Sequence, residues 1–244
     1  MKRYGWLLGC CLFLSIGMLW AADEPDLRML QQKAAQSRDM EGYVGVCKYL
    51  YQTEENPELL LLYADSIHQL ATKSKKPEQL VEYYIWASEG NFIKGDFQQG
   101  YALKRKAIAL AEKAGLKFAI SQSCCDMGYY CNVDARYDSA RYYFRKGLEA
   151  GEDLSEAGEA CRTMLTNYAS SFLFEGKTDS ALVYTIRASE RSAADKDTAM
   201  LIENLNQLGT IYRRKKNLEN CIANFEQALH LCELRGNHNA VAFI

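Results

Sequence analysis

The sequence predicts an all-α protein made of tandem, antiparallel helix pairs. Proline is confined to Pro25, Pro57 and Pro77, so residues 81–244 contain nothing that forbids helix. Ala, Leu, Glu, Lys and Gln recur at spacings of three and four, and no Asn-Gly or Asp-Gly pair is flanked by alternating apolar residues. Small residues also recur at a longer fixed interval: Gly100, Ala140, Ala181 and Cys221 stand 40, 41 and 40 residues apart. Each is followed seven places later by another, Ala107, Gly147, Ala188 or Ala228, and preceded twelve places earlier by Ser88, Gly128, Ala169 or Gly209. Three columns that keep one register through four copies mark a repeat.

Such columns have a steric cause. Two helices joined by a short turn approach closely only where side chains are small, and the next pair needs the same clearance. Larger residues fill the gaps: Asn91, Cys131, Phe172 and Tyr212 lie three places after the first small column, and Phe97, Tyr137, Thr178 and Leu218 open the second helix. Gln98, Asp138, Asp179 and Glu219 suit the positive end of that helix. Upstream, 26–36, 40–51 and 57–72 read as helices outside this register, with Pro57 at a first helical position. They form either a divergent repeat or a cap, and a stack of hairpins needs a cap on its first face.

The most regular copy is Leu205, Leu208, Gly209 and Tyr212, followed by Cys221, Phe225 and Ala228; the next is Cys124, Met127, Gly128 and Cys131, followed by Ala140, Phe144 and Gly147. This pattern resembles the tetratricopeptide (TPR) family, written W-x2-L-G-x2-Y and then A-x3-F. Lys104 and Thr185 replace the phenylalanine in the other two copies, and Glu233 stands near the place of the family's closing proline. The period also exceeds the family's usual length of about 34 residues. The resemblance covers 81–236 and implies a right-handed superhelical solenoid of antiparallel helix pairs with a period of 40–41. It further implies a concave groove lined by the first helix of each pair, with Ile85, Glu89, Cys125, Tyr129, Thr166, Ser170, Asn206 and Thr210 facing a protein or peptide ligand. Tyr129 is either a contact in that groove or simply an exposed ring. Family members that clamp a peptide carboxylate use lysines, but Glu82, Gln122, Thr163 and Glu203 hold the matching places here, so that clamp is not expected.

Residues 1–22 have the layout of a secretory signal: Lys2 and Arg3, then no charge as far as Ala22. They read as a signal peptide or an uncleaved anchor, placing the protein in the periplasm or at a membrane facing away from the cytoplasm. The net charge of -2 becomes -4 without Lys2 and Arg3, and no long block of one sign exists, which disfavours nucleic-acid binding. The basic run Arg213 to Lys216 falls between two predicted helices, where it complements the negative end of the first. Beyond the signal the seven cysteines, Cys47, Cys124, Cys125, Cys131, Cys161, Cys221 and Cys232, have no paired spacing and read as packing residues.

No catalytic motif or cofactor loop is present. His68, His230 and His238 are scattered, and Gly176-Lys177-Thr178 lacks both the leading glycine and the preceding strand of a phosphate loop. The expectation is therefore a binding protein without cofactor, metal or enzymatic activity. The divisions are 1–22 signal, 23–80 divergent repeat or cap, 81–236 four TPR-like repeats, and 237–244 the start of a further, truncated repeat. A signal followed by long repeats also resembles the extracytoplasmic region of bacterial sensor kinases and helix-turn-helix regulators. On that alternative the chain is the sensor part of a longer signalling protein, touching the membrane through its N-terminal segment or a downstream helix.

Overall fold

The structure is a computed structural model that describes residues 27–54 and 56–235; the signal segment, Gly236 and residues 237–244 lie outside the described residues. Among the described residues eleven α-helices follow one another: α1 Leu27–Ser37, α2 Met40–Thr53, α3 Pro57–Ser74, α4 Pro77–Lys94, α5 Phe97–Ala114, α6 Lys117–Val133, α7 Tyr137–Gly151, α8 Gly158–Phe174, α9 Thr178–Ala194, α10 Thr198–Arg214 and α11 Leu218–Leu234. Among the described residues there is no strand, and no helix is long and apolar enough to cross a membrane. The chain forms two compact units that divide between Met127 and Gly128.

In the first unit, α1 to α5 pack in sequence order. The side chains of Asp39 and Asn56 accept the Gly42 and Leu59 amides and start α2 and α3, while Pro57 and Pro77 occupy the first turns of α3 and α4. α2 and α3 pack together as a hairpin. Ala64 and Ala71 on α3 are buried and seven apart, as in the second-helix columns, and lie 36 residues before Gly100 and Ala107. Its register escapes notice because Gln52, exposed at the end of the short α2, stands where the third small residue belongs.

All twelve column residues of the four regular copies are buried. At the phenylalanine position the copies differ. In the second unit a Cβ added to Gly128 would overlap the buried Phe144 ring, and one on Gly209 would lie 2.7 Å from the Phe225 ring. These rings lie directly on the glycine backbone of the preceding helix. Thr185, at the same position on α9, instead donates to the Ala181 carbonyl at 2.8 Å and to Gln207 Oε1 at 3.1 Å.

Lys104, the first unit's counterpart, is fully buried. Its ammonium bonds Glu89, itself buried, and Asp126 Oδ2 at 2.9 Å. Burial alone would push the Lys104 ammonium down, but the Asp126 and Glu89 carboxylates outweigh it and hold the group firmly protonated.

The turns repeat as regularly as the columns. Gly95, Ala135, Gly176 and Lys216, with φ of 88°, 57°, 83° and 58°, place one left-handed residue in each turn between paired helices, at the same intervals of 40, 41 and 40. Gly176 thus belongs to a turn, as the sequence predicts. The link from α7 to α8 departs from this scheme and passes through a 3-10 turn, Ser155–Ala157. All seven cysteines of the described residues are buried thiols, and burial, with the Glu82 carboxylate adding to it, pushes the Cys47 thiol up to about 12.

Two stability measurements check this packing. Gly128→Ala gains about 1 kcal/mol of helix propensity but overpacks Phe144 at a cost of about 1–3 kcal/mol, so urea unfolding should find it less stable than the parent. In a Phe144→Leu background the same change should become neutral or stabilising. Lys104→Met removes the cation that Glu89 and Asp126 share and should cost about 3–5 kcal/mol, most of it recovered when Glu89→Gln and Asp126→Asn are added.

Candidate functional site

In the second unit the polar residues of the first helices come together on α8 and α10. Asp197 caps α10 by accepting the Met200 amide at 3.1 Å. One stripe of α10, Leu201, Asn204, Leu205 and Leu208, has the i, i+3, i+4, i+7 spacing of a core face, yet it contains an asparagine. Asn204 is fully buried; it accepts from Thr166 Oγ1 of α8 at 2.9 Å and donates to Ser192 Oγ of α9 at 3.1 Å. One turn further along, Gln207 donates to Ser170 Oγ of α8 at 2.6 Å and accepts from Thr185 of α9. Two polar bridges thus join three helices at successive turns.

The ends of α10 are fixed as well. The Arg162 guanidinium of α8 reaches Asp197 Oδ2 at 2.8 Å and Asp195 Oδ2 at 3.1 Å, fastening the start of α8 to the turn before α10. At the other end Arg214 donates to the Leu173 carbonyl at 2.8 Å, neutralising the negative end of α8, and Lys215 pairs with Asp179. The basic run therefore serves the preceding hairpin as much as its own helix.

Beside the bridges lies a half-buried stripe of α10 formed by Glu203, Asn206 and Thr210. Asn206 Oδ1 is buried and has no hydrogen-bond partner. The same holds for Oδ1 of Asn132, near the end of α6, whose amide nitrogen donates to the Asn167 carbonyl of α8 at 3.0 Å and so fixes which atom is unmet. Burial, with the neighbouring Asp197 carboxylate, pushes Glu203 up to about 7, and no hydrogen bond or cation offsets it. The face is rich in acceptors that nothing in the described residues satisfies. Among those residues no group of three His, Cys, Asp or Glu side chains could hold a metal ion.

No protein-family model and no curated protein matches the chain. Solved structures do. BtubC (BKLC) from P. vanneervenii matches with a TM-score of 0.69 at 13% identity, covering 87% of this chain and 89% of its own. The apo form of RapI matches with a TM-score of 0.66 at 10% identity over 86% of this chain, which spans 60% of RapI. Bacillus thuringiensis PlcR, in complex with the peptide PapR7 and DNA, matches with a TM-score of 0.54 at 14% identity, over 91% of this chain and 85% of its own.

The fold is a TPR-like helical repeat. Of the residues that the TPR resemblance assigns to a groove, Ile85, Glu89, Cys125 and Thr166 are buried, and Glu89 is engaged by Lys104. Tyr129, Ser170, Asn206 and Thr210 are half-buried. Thr166 and Ser170 are brought together, the Ser170 hydroxyl donating to the Thr166 carbonyl at 3.0 Å, and the α10 bridges join both to the Asn206 helix. Sequence reasoning overlooks Asn132, Asn204 and Gln207. The signal available for Asn204 is a polar residue inside an apolar stripe.

Two outcomes test the site's energetics. Asn204→Ala removes the bonds to Thr166 and Ser192, leaving the Thr166 hydroxyl only the Arg162 carbonyl at 3.3 Å, and should cost about 1–3 kcal/mol in denaturant unfolding. Glu203 has a raised native pKa, so its favourable contribution is present below about 4.5 and lost as pH rises through about 7. Glu203→Gln should therefore match the parent at pH 4 and exceed it at pH 8 by roughly 1–3 kcal/mol.

Proposed function

We propose that this protein is a binding scaffold outside the cytoplasm, holding a peptide or an extended protein segment against the first helices of its TPR-like repeats. The observation that carries this reading is the α10 stripe, where Glu203 and Asn206 Oδ1 stand partly or wholly out of water without donors. A peptide backbone supplies donors at intervals that such a row can use. PlcR, of the same fold, is bound to the peptide PapR7, and this supports the ligand class. Export rests on Lys2 and Arg3 followed by an uncharged stretch. The reading assigns the chain no reaction.

Retention of a fluorescent positional-scanning hexapeptide library by the purified protein tests it. The parent should retain a defined subset, and Asn206→Ala combined with Thr210→Ala should weaken retention about tenfold or more. Val183→Ala, on an exposed position of α9, should not weaken it. Equal retention by all three, or none by the parent, overturns the reading.

A second reading is the sensor part of a longer signalling protein, the layout that a signal-like segment followed by long repeats resembles. Reading the gene downstream of Ile244 tests this: further repeats and an apolar span of about 20 residues are expected, and a stop codon directly after Ile244 would sink it.

A further inference from the structure

We infer that the segment bound by the second unit presents a cationic nitrogen, from a lysine, an arginine or a free amino terminus, to Glu203. This rests on the peptide-binding reading and names the chemistry of the ligand at one point of it.

The argument is one of charge balance on a face whose members are placed. Glu203 and Asn206 are three residues apart on α10 and therefore neighbours on its surface. Both are half-buried, and neither the Glu203 carboxyl nor Asn206 Oδ1 receives a donor. Lys196 is exposed in the turn before Asp197, and Arg162, Arg191, Arg214 and Lys215 are committed elsewhere. Arg162 is held by Asp195 and Asp197, Arg191 by Asp195, Arg214 by the Leu173 carbonyl and Lys215 by Asp179. Arg213 lies ten residues further along α10, about 15 Å away along the helix axis.

The remaining charge acting on Glu203 is Asp197, of the same sign. A ligand carboxylate here would meet two acids, Glu203 and Asp197. A ligand cation would instead meet a carboxylate already partly stripped of water, while Asn206 Oδ1 takes a backbone N–H of the same segment. Burial, which raises the Glu203 pKa, agrees with this, since the group lacks a counter-charge and gains one only from outside.

The same hexapeptide library, prepared with free and with acetylated amino termini, tests the inference. At pH 8 the parent should favour peptides with lysine or arginine at one position, or free over acetylated termini, by about tenfold or more. The two preparations distinguish a side chain from a terminus as the source. In Glu203→Gln that preference ratio should collapse toward one, whereas Asn206→Ala should weaken basic and uncharged peptides together. Misfolding cannot mimic this outcome, because the ratio is read within one variant and Glu203→Gln is expected to be the more stable protein at pH 8. A preference for acidic peptides, no charge preference, or a basic preference that survives Glu203→Gln would overturn the inference while leaving peptide binding intact. No retention by the parent would overturn the peptide-binding reading and this inference with it.

Discussion

Close approach of paired helices at one level is the constraint on which each hairpin depends. Where Phe144 and Phe225 supply the large residue, only glycine fits opposite, because the ring occupies the space a Cβ would need. A ring against bare backbone buries much apolar area without a cavity and fixes the rotation of each helix about its axis. The twelve small residues of the columns are buried for the same reason, and the left-handed residue in each paired turn keeps the interval constant. Period, turn and column are one geometric requirement seen at three places.

Where the phenylalanine is replaced, the core must accept polarity, and the two replaced copies do so differently. Lys104 brings a full charge into the first unit and is matched by Glu89 and Asp126 from the helices on either side of α5. Such a cluster adds little net stability over an apolar core but penalises any register that separates its members. Thr185 brings only a hydroxyl, which its own helix and Gln207 satisfy. That milder change opens the way for the bridges through Asn204 and Gln207, and these fix α10 against α8. Thr185 thereby joins the Gln207 bridge between α9, α10 and α8.

Most of the fold was legible in the sequence, because steric columns leave a periodic trace. Gly128, Ala169 and Gly209 announce themselves by spacing, and the first three helices follow from their apolar periodicity and prolines. The α2–α3 hairpin was less legible, since only Ala64 and Ala71 keep the pattern and Gln52 breaks it. The site was read in part. The TPR resemblance nominates Thr166, Ser170, Asn206 and Thr210, but not the cross-helix partners, because Thr166 to Asn204 is a separation of 38 residues set by tertiary packing. Glu89 illustrates the same gap: the resemblance implies that it faces a groove, and only Lys104, fifteen residues away on α5, reveals where its charge is used.

The α10 face also explains why its unmet acceptors persist. A flexible surface would turn Asn206 or Glu203 toward water and relieve the cost of holding them out of it. Here Arg162 clamps the start of α10, Arg214 ties its end to α8, and Asn204 and Gln207 bridge the turns between. The backbone of this helix cannot rotate without breaking several of those bonds together. The helix that carries these acceptors is therefore ordered before a partner arrives. A partner that supplies donors then recovers the desolvation cost without first having to order the helix, which is the physical advantage of a preorganised site.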